Sequence, residues 1–403
     1  MRTTWVLRLS LAFTSAVRSS AMVKTRSGKR SLPSSAPDPK RAVSSVAASS
    51  RTEAETSVAR DATSTKSVVE TTSAGNGRQN LLLELDTGCV RATFGCRPSK
   101  RNRSPYVADI YVPSLGREAI CHVPNLDMGG KMREGVEMLV RPQRDKKGNL
   151  LGPNAVSPKY GTPKCEFVAQ LLLVDESNLS AKYVPTWVGA HPSLGEKLVE
   201  KMLNKRLLND ALPIKPTQFQ SQVTLKLKNG STMKPDFVLE QHGTKRKRLL
   251  EIKTVVDTDY CAQWPLPERT KCVFTSSDAN YSRTAIFPWG QSNQKGPDGE
   301  KVVSARAIKH VRELTKLLGE YDATVLFVVI RNDAAQFRPN FEACPSFAKY
   351  LREAADAGVQ ILVKRVRWEV LARGGDEDSV VGASCYNSDW LDIIWPTTDD
   401  RQG

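Results

Sequence analysis

Two short stretches hold the residues best suited to chemistry: Lys-Pro-Asp-Phe-Val-Leu at 234–239 and Leu-Leu-Glu-Ile-Lys-Thr-Val-Val at 249–256. Glu251 and Lys253 are i and i+2, so on a strand they share one face. Leu249, Leu250, Ile252, Val255 and Val256 around them read as a buried strand. A carboxylate and an ammonium in such a strand are costly unless they pair or bind a metal. Metal-dependent phosphodiester hydrolysis needs such a set. Asp236 and Glu251 can hold a hard cation, Mg²⁺ or Mn²⁺, through oxygen, with the backbone carbonyl of Ile252 as a further ligand. The ion would polarise the scissile phosphate and acidify a bound water. Lys253 would orient that water or neutralise charge developing at phosphorus. An Asp with a downstream Glu-x-Lys is a weak signal alone, and its weight comes from the elements around it.

Those elements are legible. Ser193–Asp210 has helical period, with Leu194, Leu198, Met202, Leu203, Leu207 and Leu208 on one side. Ser193 followed by Glu196 has the form of a capping box. Three strand-like runs follow, Gln218–Lys228, Thr232–Glu240 and Arg248–Val256, with Asn229-Gly230 as a hairpin signal between the first two. A second helix is expected over Ser304–Leu318, ended by Gly319. Thr324–Ile330 reads as a buried strand, and a third helix over Phe347–Ala357 stops at Gly358. Residues 257–303 form a long insertion of little periodicity, of the kind that is usually functional or mobile. Upstream, short β-type runs punctuated by Gly and Pro fill Leu81–Trp187 and argue for a small barrel of the oligonucleotide-binding type. The expected fold class is α/β plus all-β. A β-barrel over 79–188 precedes a second domain over 189–398 with an αβββαβ core.

The formal net charge is +16 and the sequence pI about 9.5, which points to a polyanionic partner. Residues 1–78 hold 13 Lys and Arg against 5 Asp and Glu, so half of that excess lies in the first fifth of the chain. That segment opens rich in Arg and Ser, with Asp38 as its first acid, like a mitochondrial or plastid transit peptide. From Met22, Met-Val-Lys-Thr-Arg-Ser-Gly-Lys-Arg gives a nuclear address as the alternative. Residues 22–78 are too poor in large apolar side chains to bury a core and read as disordered. The eight cysteines are scattered without zinc spacing, which suggests reduced thiols inside a cell. No apolar run nears the roughly 18–20 residues that span a bilayer.

Several residues could hold nucleic acid. Arg101, Arg103 and Tyr106 mix basic and aromatic groups, as single-strand grooves do. His122 and Asn125 lie in the barrel region. Arg306, Lys309 and His310 share the second helix, where they could meet phosphate. Glu200 could add a carboxylate to the site, and Lys245–Arg248 is a loop charge run that would add salt-dependent affinity near DNA.

Taken in order, these stretches resemble the sugar fermentation stimulation protein family over about residues 97–367. Ser-Lys-Arg-Asn-Arg-Ser-Pro-Tyr-Val-Ala-Asp-Ile-Tyr-Val at 99–112 matches the family's basic–aromatic opening to "ADV", and Cys121–Met132 its "HCPN" stretch. Asp236-Phe237 and Glu251-Ile252-Lys253 match its "DF" and "EVKS". Phe287-Pro288, Lys309–Leu314, Gln336–Pro339 and Gly358–Leu362 match its "FP", "KHLREL", "RF.P" and "GV.IL". The chain departs where the family has "NTG", here Asn125-Leu126-Asp127, and where an acid precedes the helical Arg, here Ala305 before Arg306. The resemblance implies an oligonucleotide-binding barrel followed by a restriction-endonuclease-like PD-(D/E)xK domain that binds DNA. The function expected is a Mg²⁺-dependent DNA endonuclease, with a non-catalytic DNA-binding regulator as the alternative and RNA as a lesser target.

Overall fold

The computed structural model describes residues 79–124, 128–226, 230, 232–268, 272–372 and 381–396. The expected leader and linker of 1–78, the turn residue Asn229 and the candidate Asn125 lie outside these residues.

Five strands build the first part: β1 (Leu81–Phe94), β2 (Val107–Val112), β3 (Arg117–His122), β4 (Glu137–Pro142) and β5 (Phe167–Val174). Their order around the sheet is β1-β2-β3-β5-β4, and β4 pairs back to β1, so the barrel closes. All pairs are antiparallel except β3 with β5, where Cys121 faces Phe167. Alternate residues point inward: Ala92 and Phe94, Ala108, Ile110 and Val112, Ala119 and Cys121, and Phe167, Ala169 and Leu171 are buried together. The oligonucleotide-binding type of barrel read from the sequence is therefore present. The sequence suggested two runs, Leu81–Leu85 and Cys89–Phe94, where there is one long strand. Its register slips between Leu85 and Cys89, where Gly88 sits at φ 132°, a conformation a side chain would resist.

That slip lets β1 serve two sheets. Val90–Thr93 pair with β4, and Leu81–Cys89 pair with a C-terminal strand. The second part holds α1 (Leu194–Asn204), β6 (Gln218–Ser221), β7 (Phe237–Glu240), β8 (Arg248–Val255), α2 (Ala305–Lys316), β9 (Asp322–Val329), α3 (Pro345–Asp356), β10 (Gln360–Ala372) and β11 (Val381–Trp390). From β1 the sheet continues β11-β10-β9-β8-β7-β6. β8, β9 and β10 are parallel, joined through α2 and α3, while β6, β7 and β11 run antiparallel to their neighbours. The expected order of helix, three strands, helix and strand is present. The first two expected strands are each broken, because Leu225–Lys226 and Thr232–Met233 leave the main sheet and pair with each other.

The two faces of this sheet have separate cores. Phe237, Leu239, Leu250, Ile252, Leu326 and Val366 pack against Leu194, Leu198, Val199 and Met202 of α1 and on into the barrel core. Val238, Leu249, Val255, Val325, Phe327 and Val329 pack against Ile308, Val311 and Leu314 of α2 and Phe347 and Leu351 of α3. Alternation along β8 therefore sends Glu251 and Lys253 to the α2 face. Among the described residues no helix is long and apolar enough to cross a membrane. Among the described residues no cysteine forms a disulfide.

Candidate functional site

Glu251 lies mid-way along β8, opposite Val325 of the parallel β9, and is 1% exposed. Lys253, two residues on, bonds its Oε1. His310 of α2 reaches the same oxygen through Nδ1. Arg306, one turn back on α2, donates from Nε to His310 Nε2 at 3.4 Å. A guanidinium only donates, so Nε2 must accept and the imidazole proton sits on Nδ1, aimed at Glu251. The other oxygen, Glu251 Oε2, is buried and has no hydrogen-bond partner among the described residues. Burial works against the charge on Glu251, but the His310 hydrogen bond and the Lys253 charge outweigh it and hold its pKa below the usual value.

Asp236 stands just before β7, where that strand starts to pair with β8. Its Oδ2 accepts from the Ile252 N–H at 2.7 Å. Burial first, and then the charge of Glu251, push its pKa up to about 6, with the Ile252 hydrogen bond and Lys253 acting the other way. The sequence placed Asp236, Glu251 and Lys253 side by side, and the coordinates bring them into one constellation. Its donors are hard oxygens, and one of them is buried and unpaired. That fits a hard divalent cation better than a soft one. Among the described residues no three His, Cys, Asp or Glu side chains are already gathered as a metal group.

A further carboxylate was missed. Glu196, in the first turn of α1, is among the charges that raise Asp236, and Gln222 Nε2 donates to its Oε2 at 3.2 Å. Gln222 itself takes φ 56° and donates its N–H to the Asp236 carbonyl at 3.0 Å. The capping box expected of Ser193 and Glu196 does not form, because the Ser193 hydroxyl is engaged with His191 Nδ1 at 2.8 Å. Glu200 is exposed on α1. The helix carrying Glu196 lies close on β8: a Cβ on Gly195 would stand 2.3 Å from Thr254 Oγ1, and that hydroxyl bonds the Pro192 carbonyl at 2.9 Å.

The remaining candidates are dispersed. Lys309 turns away to Glu313 at 3.7 Å. Arg101 is held at the barrel by the Pro153 carbonyl and by Glu166, 3.8 Å away, which also bonds Arg117. Arg103 and Tyr106 are exposed nearby, Tyr106 at 44%. His122 and Arg141 both stand opposite Val168 in the barrel ladder, and with Lys197 they depress the pKa of His191 below its usual value, burial being the larger cause. The 245–248 run is more than a solvated loop. Lys247 pairs with Glu240 at 2.6 Å, Arg246 with Asp322 at 2.9 Å, and Arg248 is buried against Thr324 Oγ1 at 2.9 Å.

Just past β8, the 257–303 insertion closes a buried ionic network that the sequence did not suggest. Lys131, from the loop after β3, reaches Asp257 at 3.4 Å. Glu176, after β5, bonds both Tyr260 and Arg283. Arg283 lies 3.4 Å from Asp333 and stacks 4.2 Å from the Tyr183 ring centre. Arg331, fully buried, grips Asp333 with two bonds of 2.6 and 2.7 Å and caps the Val256 carbonyl at 3.0 Å. Burial opposes ionisation of Glu176 and Asp333, yet the surrounding Lys and Arg charges bring each down to about 2.

Comparison with known proteins meets this geometry from outside. The family description "Sugar fermentation stimulation protein RE domain" matches residues 297–371. A sugar fermentation stimulation protein homolog of Acaryochloris marina is 28% identical over 192 residues, 47% of this chain and 60% of that protein. A homolog of Nostoc sp. is 28% identical over 214 residues, 53% of this chain and 71% of that protein. The match thus spans about three fifths of the first relative. A solved structure titled "The structure of Pyrococcus Furiosus SfsA in complex with Ca2+" aligns at 16% identity with a TM-score of 0.48, over 78% of this chain and 99% of that one.

Proposed function

The chain belongs to the sugar fermentation stimulation protein family, and from that premise we propose that it binds DNA and carries a divalent-metal-dependent phosphodiesterase site of PD-(D/E)xK type on its second sheet. The observation that supports this most is Glu251: a carboxylate 1% exposed, positioned by Lys253 and His310 through one oxygen and left with the other unpaired beside Asp236. A purely structural Glu–Lys pair would satisfy both oxygens, since an unsatisfied buried acceptor is costly. Asp236 and Glu251, with the Ile252 carbonyl, would hold Mg²⁺ or Mn²⁺, which supplies charge neutralisation at the phosphate and an acidified water. Lys253 presents its ammonium beside that position. His310 keeps the Glu251 carboxylate ionised and fixed, and Arg306 fixes His310. The barrel and the exposed basic residues of α2 grip the nucleic acid, a charge-driven contact weakened by salt.

The test is nicking of supercoiled plasmid with Mg²⁺ and with chelator, beside Glu251→Gln and Lys253→Met. Cleavage falls at least about 100-fold in both variants and stops with chelator. Equal rates in wild type and variants would reject the site. Binding gives a second readout: Mg²⁺ raises the unfolding midpoint of the wild type and not of Glu251→Gln. One observation favours DNA binding without cleavage. Lys253 and His310 both occupy the same Glu251 oxygen, so the lysine is engaged before any substrate arrives. Under that reading oligonucleotides bind in a salt-dependent way and stay whole.

A further inference from the structure

On the opposite side of the sheet from Glu251, β10 turns Leu362, Lys364 and Val366 toward α1 and the segment after it. Leu362 and Val366 join the apolar core, but Lys364 is placed between them and is only 3% exposed. Among the described residues no carboxylate lies within ion-pair distance of it. Its near neighbour is the Trp390 ring, with Nζ 4.2 Å from the centre. The two acids whose charges act on it are engaged elsewhere: Asp210 accepts from Trp390 Nε1 at 3.1 Å, and Asp389 is bonded by Arg365. A buried lysine without a direct ion pair is expensive to keep.

Lys364 lies at the floor of an open groove of about 490 Å³, lined also by the exposed Arg206, Lys215 and Asp210 and by Asn387. Asn387 Oδ1 is buried there and, among the described residues, accepts no hydrogen bond. Arg206 follows the end of α1 at φ 60°, where helices place glycine to avoid a left-handed side chain. An arginine in the left-handed region, a buried lysine with an aromatic ring but no direct ion pair, and an orphan amide oxygen thus meet at one opening, each unfavourable alone.

We infer that this groove binds a phosphate group, whose oxygens accept from Lys364, Arg206 and Lys215 while its own hydroxyl donates to Asn387 Oδ1. Three cations against the single carboxylate of Asp210 favour an anion. The orphan acceptor favours an anion that also carries a proton, which hydrogen phosphate does and sulfate at neutral pH does not. Size and charge being alike, that proton separates the two, as a buried polar group left unpaired rejects the analogue that cannot satisfy it. The site is independent of the proposed hydrolase centre, because the sheet lies between Lys364 and Glu251.

The experiment titrates the full chain with inorganic phosphate and with sulfate by calorimetry and by unfolding midpoint. Phosphate binds saturably and at least about 10-fold more tightly than sulfate. Lys364→Met raises the midpoint of the ligand-free protein and abolishes the phosphate response. Asn387→Ala weakens phosphate to the level of sulfate and leaves sulfate unchanged. Arg206→Gly relieves the left-handed strain, so it stabilises the free protein while weakening phosphate, a divergence that a merely structural residue would not show. Competition run at about pH 5, below the monoester's second pKa of about 6, where the ester keeps one proton, separates the sources of the group: a 5′-phosphorylated oligonucleotide displaces phosphate, where its unphosphorylated twin does not, if a nucleic-acid end is the ligand, and neither does if it is a small ester. Equal affinity for the two anions, or an undiminished phosphate response in Lys364→Met, overturns the assignment.

Discussion

His310 and Glu251, 59 residues apart in the chain, meet through Nδ1 and Oε1 and tie the face of α2 to the middle of β8. Because Arg306 donates to the far nitrogen, the imidazole is held in the tautomer that can donate to the acid. His310→Ala leaves a buried carboxylate with Lys253 alone. Loss of a charge-assisted bond there costs about 2 kcal/mol of folding stability, readable by denaturant titration. Outer partners of a metal-binding carboxylate are worth roughly 10–100-fold in affinity, so Mg²⁺ binding weakens by that amount. An unchanged Mg²⁺ affinity would remove His310 from the site.

Asp236 works against the ligand-free fold. Its folded pKa of about 6 lies above the ordinary 3.8. The folded state therefore holds the proton more tightly, and the stability this gives is complete below pH 3.8 and lost as pH rises through 6. Asp236→Asn, neutral throughout, is expected to stabilise the metal-free protein by about 2 kcal/mol at pH 8 and by far less at pH 4. It also erases the midpoint rise that Mg²⁺ gives the wild type. Stabilisation without that loss would make the acid structural.

Residues read from local pattern survived best. Glu251 and Lys253 were legible because period-2 spacing fixes their shared face, and the flanking Leu and Val fix their burial. Glu196 was misread for the same reason: Ser193-x-x-Glu196 is a local signature of a helix start, but His191, two residues before the serine, takes its hydroxyl. His310 was seen as a phosphate contact, and only the fold shows that it reaches Glu251. The closure of the barrel through β1, and the pairing of β1 with β11 some 300 residues away, have no local signal. The ionic network is likewise non-local. Lys131 and Asp257 are 126 residues apart and Glu176 and Arg283 are 107 apart, so each reads in sequence as an ordinary surface charge.

Gly195 permits the approach of α1 to β8 that brings Glu196 near Asp236. In Gly195→Ala the new methyl would stand 2.3 Å from Thr254 Oγ1 and 3.2 Å from Ile252 Cγ2. Thr254 is β-branched and bonded to the Pro192 carbonyl, so it cannot swing aside freely. Helix and strand must separate, which costs about 1–3 kcal/mol despite the better helix propensity of alanine. Because the Ile252 N–H holds Asp236, cleavage or Mg²⁺ binding should fall as well. A Gly195→Ala protein as stable as wild type would show that the contact is looser than drawn.

The network beyond β8 predicts how the protein fails in acid. Glu176 and Asp333 have folded pKa values of about 2, below their ordinary 4.5 and 3.8. Their ionised forms therefore contribute stability that is whole above pH 4.5 and drains as pH falls toward 2. Arg331→Met removes the cation that grips Asp333 with two bonds and leaves that acid buried beside Arg283 alone. A broken buried pair costs roughly 3–5 kcal/mol, whereas Arg331→Met combined with Asp333→Leu should recover most of it, since an apolar pair needs no desolvation. The single variant also loses the part of its acid sensitivity over pH 2–4 that comes from Asp333, because the protonated and ionised forms of that acid no longer differ as much in the folded state, while the Glu176 part persists through Lys131 and Arg283. Urea unfolding of the three proteins at pH 3 and pH 7 decides it: additive losses in the double variant would show that Arg331 acts through the Val256 carbonyl and not through Asp333.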